Sequence, residues 1–187
     1  IRIDGWEGQP PPQRATTPFA DRVLESDASG ALWYCVSAGT PGTWRKIAGP
    51  TTGGAFHPVD PIRVFDSRAA APAPGAFAAG AARTISVADG RTLDTGAVSV
   101  TDVVPVGATA VAVNVTITET KRSGYLALAP GSAASIGASS INWWTDGVTI
   151  ANGLVVKLDA LRTLKVFCAG DAACETHLIV DVQGYWL

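Results

Sequence analysis

The chain has 187 residues, 47% of them hydrophobic and 16% charged, with 14 Lys and Arg against 16 Asp and Glu for a net charge of -2. That apolar content suits one domain, or one domain with a small appendage, and the scattered charge argues against a basic stripe for nucleic acid or a polybasic membrane patch. No apolar run reaches the length of a bilayer span, so no membrane insertion is expected.

Ile1 at the start and the lack of any Met lead us to expect a processed product or a piece of a longer protein. Residues 1–20, rich in Pro and Gln (GQPPPQRATTP), show no periodicity and read as an extended arm. Residues 21–50 read as a β-hairpin, SGALWYCVS and TWRKIA joined by AGTPG, with Gly42 free to take the positive φ of a tight turn. An isolated hairpin is marginal in water. Trp33, Tyr34 and Trp44 therefore need cover from the main domain or from another copy of the chain, which makes them the expected interface residues.

Residues 51–187 carry short strand signals separated by Gly, Pro, Asp and Ser clusters: RVFDSR, ARTISVA, AVSVTDV, TAVAVNVTIT, GYLALAP, SSINWW, GLVVKL, TLKVFC and HLIVDVQGYWL. The Ala-rich run 69–82 is broken by Pro72, Pro74, Gly75 and Gly80, so no helix is expected there. The fold class is all-β, an antiparallel β-sandwich or jelly-roll-like domain preceded by the small hairpin. In the strand TAVAVNVTIT, Val111, Val113, Val115 and Ile117 share a face, and in HLIVDVQGY so do Leu178, Val180 and Val182. Asn114 and Asp181, the lone polar residues among these apolar runs, are expected in one layer.

DPIRVFDSR concentrates four charges in nine residues. Strict alternation puts Ile62, Val64, Asp66 and Arg68 on one face and Arg63, Phe65 and Ser67 on the other. A carboxylate beside the core needs a partner, and the planar fork of Arg68 suits Asp66. With Asp181 joining from the last strand, the expectation is a structural clasp between the first and last strands of the sandwich.

Catalytic motifs are missing: no GxSxG elbow, HExxH, Walker loop or dinucleotide fingerprint occurs. Ser67 and Asp66 suggest a triad, but neither His57 nor His177 is near them in sequence. An acid pair for glycoside hydrolysis, drawn from Glu7, Glu25, Glu119 and Glu175, stays open because separations are invisible in sequence. Neither a metal site nor a cofactor is expected, with two His and no CxxC. Cys168 and Cys174 bracket the loop CAGDAAC and face each other across an expected hairpin. A disulfide there would contribute about 2–3 kcal/mol and imply an oxidising compartment. Cys35 reads as a buried strand residue. In SSINWWTDG alternation sends one Trp inward and one outward, and an exposed Trp144 would meet a sugar face or a partner. Tyr125 is a second candidate for ligand contact, and Trp186 is expected to pack rather than bind.

HPVDPIRVFDSR, VPVGATAVAVNVTITE, GYLALAP, SSINW, ANGLVVKL and HLIVDVQGYWL, in that order over residues 56–187, resemble a module common in secreted and surface proteins of actinobacteria. Asp66, Ser67, Arg68, Asn114, Asn142, Trp143, Asp181, Gly184 and Tyr185 match its recurrent positions, while Trp144 and the Cys168–Cys174 pair depart from it. The resemblance implies an extracellular accessory β module, largely of unknown function, and supplies no catalytic residue. SGALWYCVSAGTPGTWRKIAG is similar to a short hairpin near the ends of bacteriophage tail fibres, which implies a trimeric neck. The expected function is a non-catalytic extracellular structural or recognition module, a homotrimeric head of a surface or phage-like appendage. The alternative is a carbohydrate-binding module contacting a cell-surface glycan, and the third reading a carboxylate-dependent hydrolase.

Overall fold

The computed structural model describes residues 8–49, 52 and 54–187, so the first seven residues of the expected arm, and Glu7 with them, lie outside the described residues. The chain divides into two compact units, Ile1–Gly54 and Ala55–Leu187. Among the described residues no helix is long and apolar enough to cross a membrane.

The small unit is a three-stranded antiparallel sheet, β1 (Leu24–Ser26), β2 (Leu32–Ser37) and β3 (Thr43–Ala48), in the order β1-β2-β3. β1 adds a strand to the expected hairpin. Gly42 takes φ 81° between β2 and β3, a conformation that lacks strain only without a Cβ. A single 3-10 turn, Pro11–Gln13, shapes the arm. Phe19 then bridges to Gly39 and meets the Trp44 ring edge-on at 4.8 Å.

The large unit is the expected all-β antiparallel sandwich. Its strands are β4 (Phe56–Asp66), β5 (Phe77–Ala78), β6 (Ala82–Ser86), β7 (Gly90–Arg91), β8 (Val98–Val100), β9 (Ala110–Lys121), β10 (Gly124–Pro130), β11 (Ile141–Trp143), β12 (Ile150–Lys157), β13 (Thr163–Gly170) and β14 (Glu175–Trp186). One sheet runs β12-β9-β14-β4, with β5 added to β14; the other runs β11-β10-β13-β6, and β7 pairs with β8. Val111, Val113, Val115 and Ile117 of β9 and Leu178, Val180 and Val182 of β14 are fully buried, as their alternation predicts. They meet Leu126 of β10, Leu164, Val166 and Cys168 of β13, and Ile85 of β6 in one core. Each such fully buried aliphatic side chain contributes roughly 1.5–3 kcal/mol. The Ala-rich segment 69–82 forms no helix, as its Pro and Gly content predicts, and contributes the short β5 and the start of β6.

Strict alternation fails in β4. Pairing with β14 runs Ile179↔Asp66, Val180↔Phe65 and then Asp181↔Arg63, so Val64 is an extra residue in a β-bulge. The bulge puts Val64, Phe65, Asp66 and Ser67 all in buried positions and turns Arg63 toward Asp181.

The expected Cys168–Cys174 disulfide is not formed. Both are buried free thiols with Sγ atoms 3.9 Å apart, facing each other as expected across the turn between β13 and β14. Burial and the neighbouring Cys174 push the Cys168 thiol up to about 12. Cys35 is fully buried in β2, as its strand pattern predicts.

Candidate functional site

Three groups of residues merit attention as sites. The first is the charged cluster on β4 and β14. Arg63 Nε bonds Asp181 Oδ1 at 2.5 Å and Arg63 Nη1 bonds Asp66 Oδ2 at 3.0 Å. Arg68 reaches the same Asp66 with a fork, Nε to Oδ1 at 3.0 Å and Nη2 to Oδ2 at 2.8 Å, and its backbone N–H donates to Oδ1 at 2.9 Å. Asp66 and Arg68 therefore pair as the sequence suggests. The link to Asp181 is a correction: Arg63 carries it, because the bulge at Val64 rotates Arg63 onto the face that alternation denies it. Burial pushes the Asp66 carboxyl up, but its bonds to Arg68 and the two guanidinium charges outweigh this and hold it below its ordinary range. The bond to Asp66 in turn raises Arg68.

Beside this cluster Ser67 and His177 meet. The Leu178 N–H donates to Ser67 Oγ at 2.9 Å, and Ser67 Oγ lies 2.9 Å from His177 Nδ1. The hydroxyl, already an acceptor, donates to Nδ1 when the ring proton is on Nε2. The sequence separates these residues by 110 positions, and only the pairing of the β4 end with β14 brings them together. Ser67 is fully buried, so it presents no nucleophile to solvent; the pair fastens the end of β4 to β14.

The second group surrounds Tyr125. Tyr125 of β10 stands opposite Asn142 of β11 on the outer face of the smaller sheet. With Ile136, Gly137, Ala138 and Ser139 of the β10–β11 connection, they line an open cleft of 320 Å³. Asn142 Nδ2 donates to Ser139 Oγ at 3.1 Å, which fixes the amide at the rim. Trp143 turns inward, its Nε1 donating to the Lys121 carbonyl at 3.2 Å, whereas Trp144 is 69% exposed. This is the one-in, one-out arrangement the alternation predicts. Trp144 is not among the cleft-lining residues, so the two aromatic candidates do not share one pocket.

The third group belongs to the small unit. Trp33 Nε1 donates to Asp27 Oδ2 at 2.8 Å and Trp44 Nε1 to the Pro41 carbonyl at 2.7 Å. Bonds from Ser29 and Trp33 outweigh burial and draw the Asp27 carboxyl down to about 2. By register Trp33, Cys35 and Trp44 share one face, where Phe19 covers Trp44. Tyr34 points the other way, onto a face with Leu24, Leu32 and Arg45. Val36 and Ile47, at the two register shifts between β2 and β3, are each 47% exposed. Two of the three expected interface aromatics thus bond their indole N–H within the unit, and Tyr34 lies on the opposite face. Of the exposed apolar residues missed from the sequence, Leu24 pairs directly with Tyr34, whereas Val36 and Ile47 sit at register shifts that alternation does not reveal.

Of the acids weighed as a hydrolytic pair, Glu25 bonds Arg14 at 2.7 Å and Glu175 bonds Lys121 at 3.0 Å. Among the described residues no group of three or more His, Cys, Asp or Glu is placed to hold a metal ion. No protein-family model matches the chain, and no curated protein is similar to it.

Proposed function

We propose that this chain is a non-catalytic extracellular recognition module, a β-sandwich head carried on a small unit that self-associates into a homotrimer, as at the tip of a surface or phage-like appendage. The observation that carries this reading is the small unit's missing core. Among its described residues the buried apolar side chains are Pro11, Ala31 and Cys35, while Leu24, Val36 and Ile47 of the sheet are exposed. A three-stranded sheet this short, with so little buried, needs a second layer over its exposed apolar residues to be stable. The likeness to trimeric tail-fibre hairpins supplies the stoichiometry. Sedimentation equilibrium at micromolar concentration tests it: a trimer is expected, with Val36→Asp and Ile47→Asp giving monomers. A monomeric parent chain refutes it.

A second reading is favoured by the cleft at Tyr125. An aromatic ring, an amide and a hydroxyl around 320 Å³ suit a single sugar unit of a cell-surface glycan, with exposed Trp144 a separate contact. Binding on a glycan array that Tyr125→Ala abolishes supports this reading; binding that Tyr125→Ala leaves unchanged removes the cleft as the site. Neither reading requires nucleic acid, a cofactor or membrane insertion.

A further inference from the structure

The outer face of the larger sheet combines three features. Along β9 its outward residues are Ala110, Ala112, Asn114 and Thr116, and their register partners on β12 and β14 include Gly153, Asp181 and Gly184. First, this floor is low. A Cβ built on Gly153 meets nothing within 4 Å, so no side chain covers the space above it. Second, an aromatic platform stands at one end. A Cβ on Gly184 would strike the Phe56 ring, so that ring lies over Gly184, braced by Trp186 at 4.6 Å between centroids. Phe56 is 47% exposed.

Third, the amide of Asn114 is almost unused. Its one described bond, to Thr116 Oγ1, is 3.5 Å long, at the limit of a hydrogen bond. It is flanked by open Gly153 on one side and by Asp181 on the other. Asn114 and Ala112 are two residues apart on β9, and Ala112 pairs with Gly184, so the amide lies roughly 7 Å along the sheet from the aromatic platform.

Around Asn114 the charges cancel, while Lys157, in register with Ala110, stands at the end of β12. Arg63 is shared by Asp66 and Asp181, and Arg68 is taken by Asp66. An ionic partner seated over Asn114 would have to break these pairs. A neutral polyol would not, because its C–H face stacks on an aromatic ring while its hydroxyls bond an amide, a carboxylate edge and a threonine hydroxyl. We infer that this face binds a neutral oligosaccharide chain, stacked on Phe56 against Trp186 and hydrogen-bonded by Asn114, Thr116 and Asp181 over the gap at Gly153.

The inference deepens the recognition reading and rests on it, but it is independent of the trimer and of the Tyr125 cleft. Isothermal titration with cellohexaose, laminarihexaose and mannohexaose is the test. At least one is expected to bind saturably. Gly153→Trp, which fills the open floor without a neighbour to displace, and Phe56→Ala should each weaken that binding by roughly tenfold or more. Gly153→Trp should leave the melting temperature unchanged, and Tyr125→Ala and Trp144→Ala should leave the binding unchanged. The inference is overturned if none of the three sugars binds. It is equally overturned if Gly153→Trp binds like the parent chain, or if Tyr125→Ala alone abolishes binding. A monomer in sedimentation would sink the trimer and leave this inference standing.

Discussion

The Asp66 side chain is 4% exposed between two guanidinium groups, and the Arg63 side chain, at 18%, is less exposed than the Arg68 side chain at 42%. Removing Arg63 leaves Asp181 without its guanidinium partner and Asp66 with the Arg68 fork alone, whereas removing Arg68 leaves both carboxylates bonded to Arg63. Arg63→Ala is therefore expected to lower stability by about 2–3 kcal/mol and Arg68→Ala by about 1 kcal/mol, read from urea denaturation midpoints at constant slope. Equal losses, or a larger loss for Arg68→Ala, would contradict the bridging role of Arg63. The sign of the pH dependence follows from the depressed Asp66 carboxyl. A group whose folded pKa lies below its unfolded value of about 3.9 contributes its stability above that value and loses it as pH falls. Melting temperature should hold between about pH 5 and 7 and fall below about pH 4, with a shallower fall in Asp66→Asn. Asp27, drawn to about 2, repeats this in the small unit between its ordinary range and that value, and Trp33 fluorescence reports it because the indole donates to that carboxylate.

At the scale of elements, close packing is set by small residues that alternation does not flag. β10 and β13 approach at Gly124 and Gly170, and a Cβ on Gly124 would come within 2.5 Å of the Trp143 ring and 3.0 Å of Cys174 Sγ. Both neighbours are buried and held, so Gly124→Ala should cost about 1–3 kcal/mol in thermal or chemical denaturation. A neutral result would mean that Trp143 moves freely. Thr120, also unremarked in the sequence, bonds Thr145 O and accepts the Val148 N–H, each at 2.8 Å, tying the β11–β12 connection to β9. Thr120→Val strands both backbone groups and should cost about 1–3 kcal/mol. The faces of β9 and β14 were legible because period-two burial is a local property of a chain that pairs regularly. The bulge at Val64 was not, because it exists only relative to the register of β14, more than a hundred residues away.

For the whole molecule, the two units differ in how they are stabilised. The large unit holds a continuous core, whereas the small one buries little of its own apolar surface. Melting followed by the fluorescence of Trp33 and Trp44 should therefore shift upward with protein concentration, as mass action requires of an associating unit. Far-ultraviolet circular dichroism, dominated by the sandwich, should show a main transition independent of concentration. Tryptophan signals that do not respond to concentration would count against self-association through the small unit.

What the sequence determined by itself was the fold class, the inward faces of the long strands, the lack of helix in the Ala-rich run, and the opposite directions of Trp143 and Trp144. All of these follow from local rules of alternation, turn chemistry and proline. Only the tertiary structure decided which arginine reaches Asp181, that His177 stands beside Ser67, that Trp44 meets Phe19 of the arm, and that Phe56 lies over Gly184 near an Asn114 amide with one long bond. Each of these depends on the register between strands far apart in the chain, a global choice that no short window of residues carries.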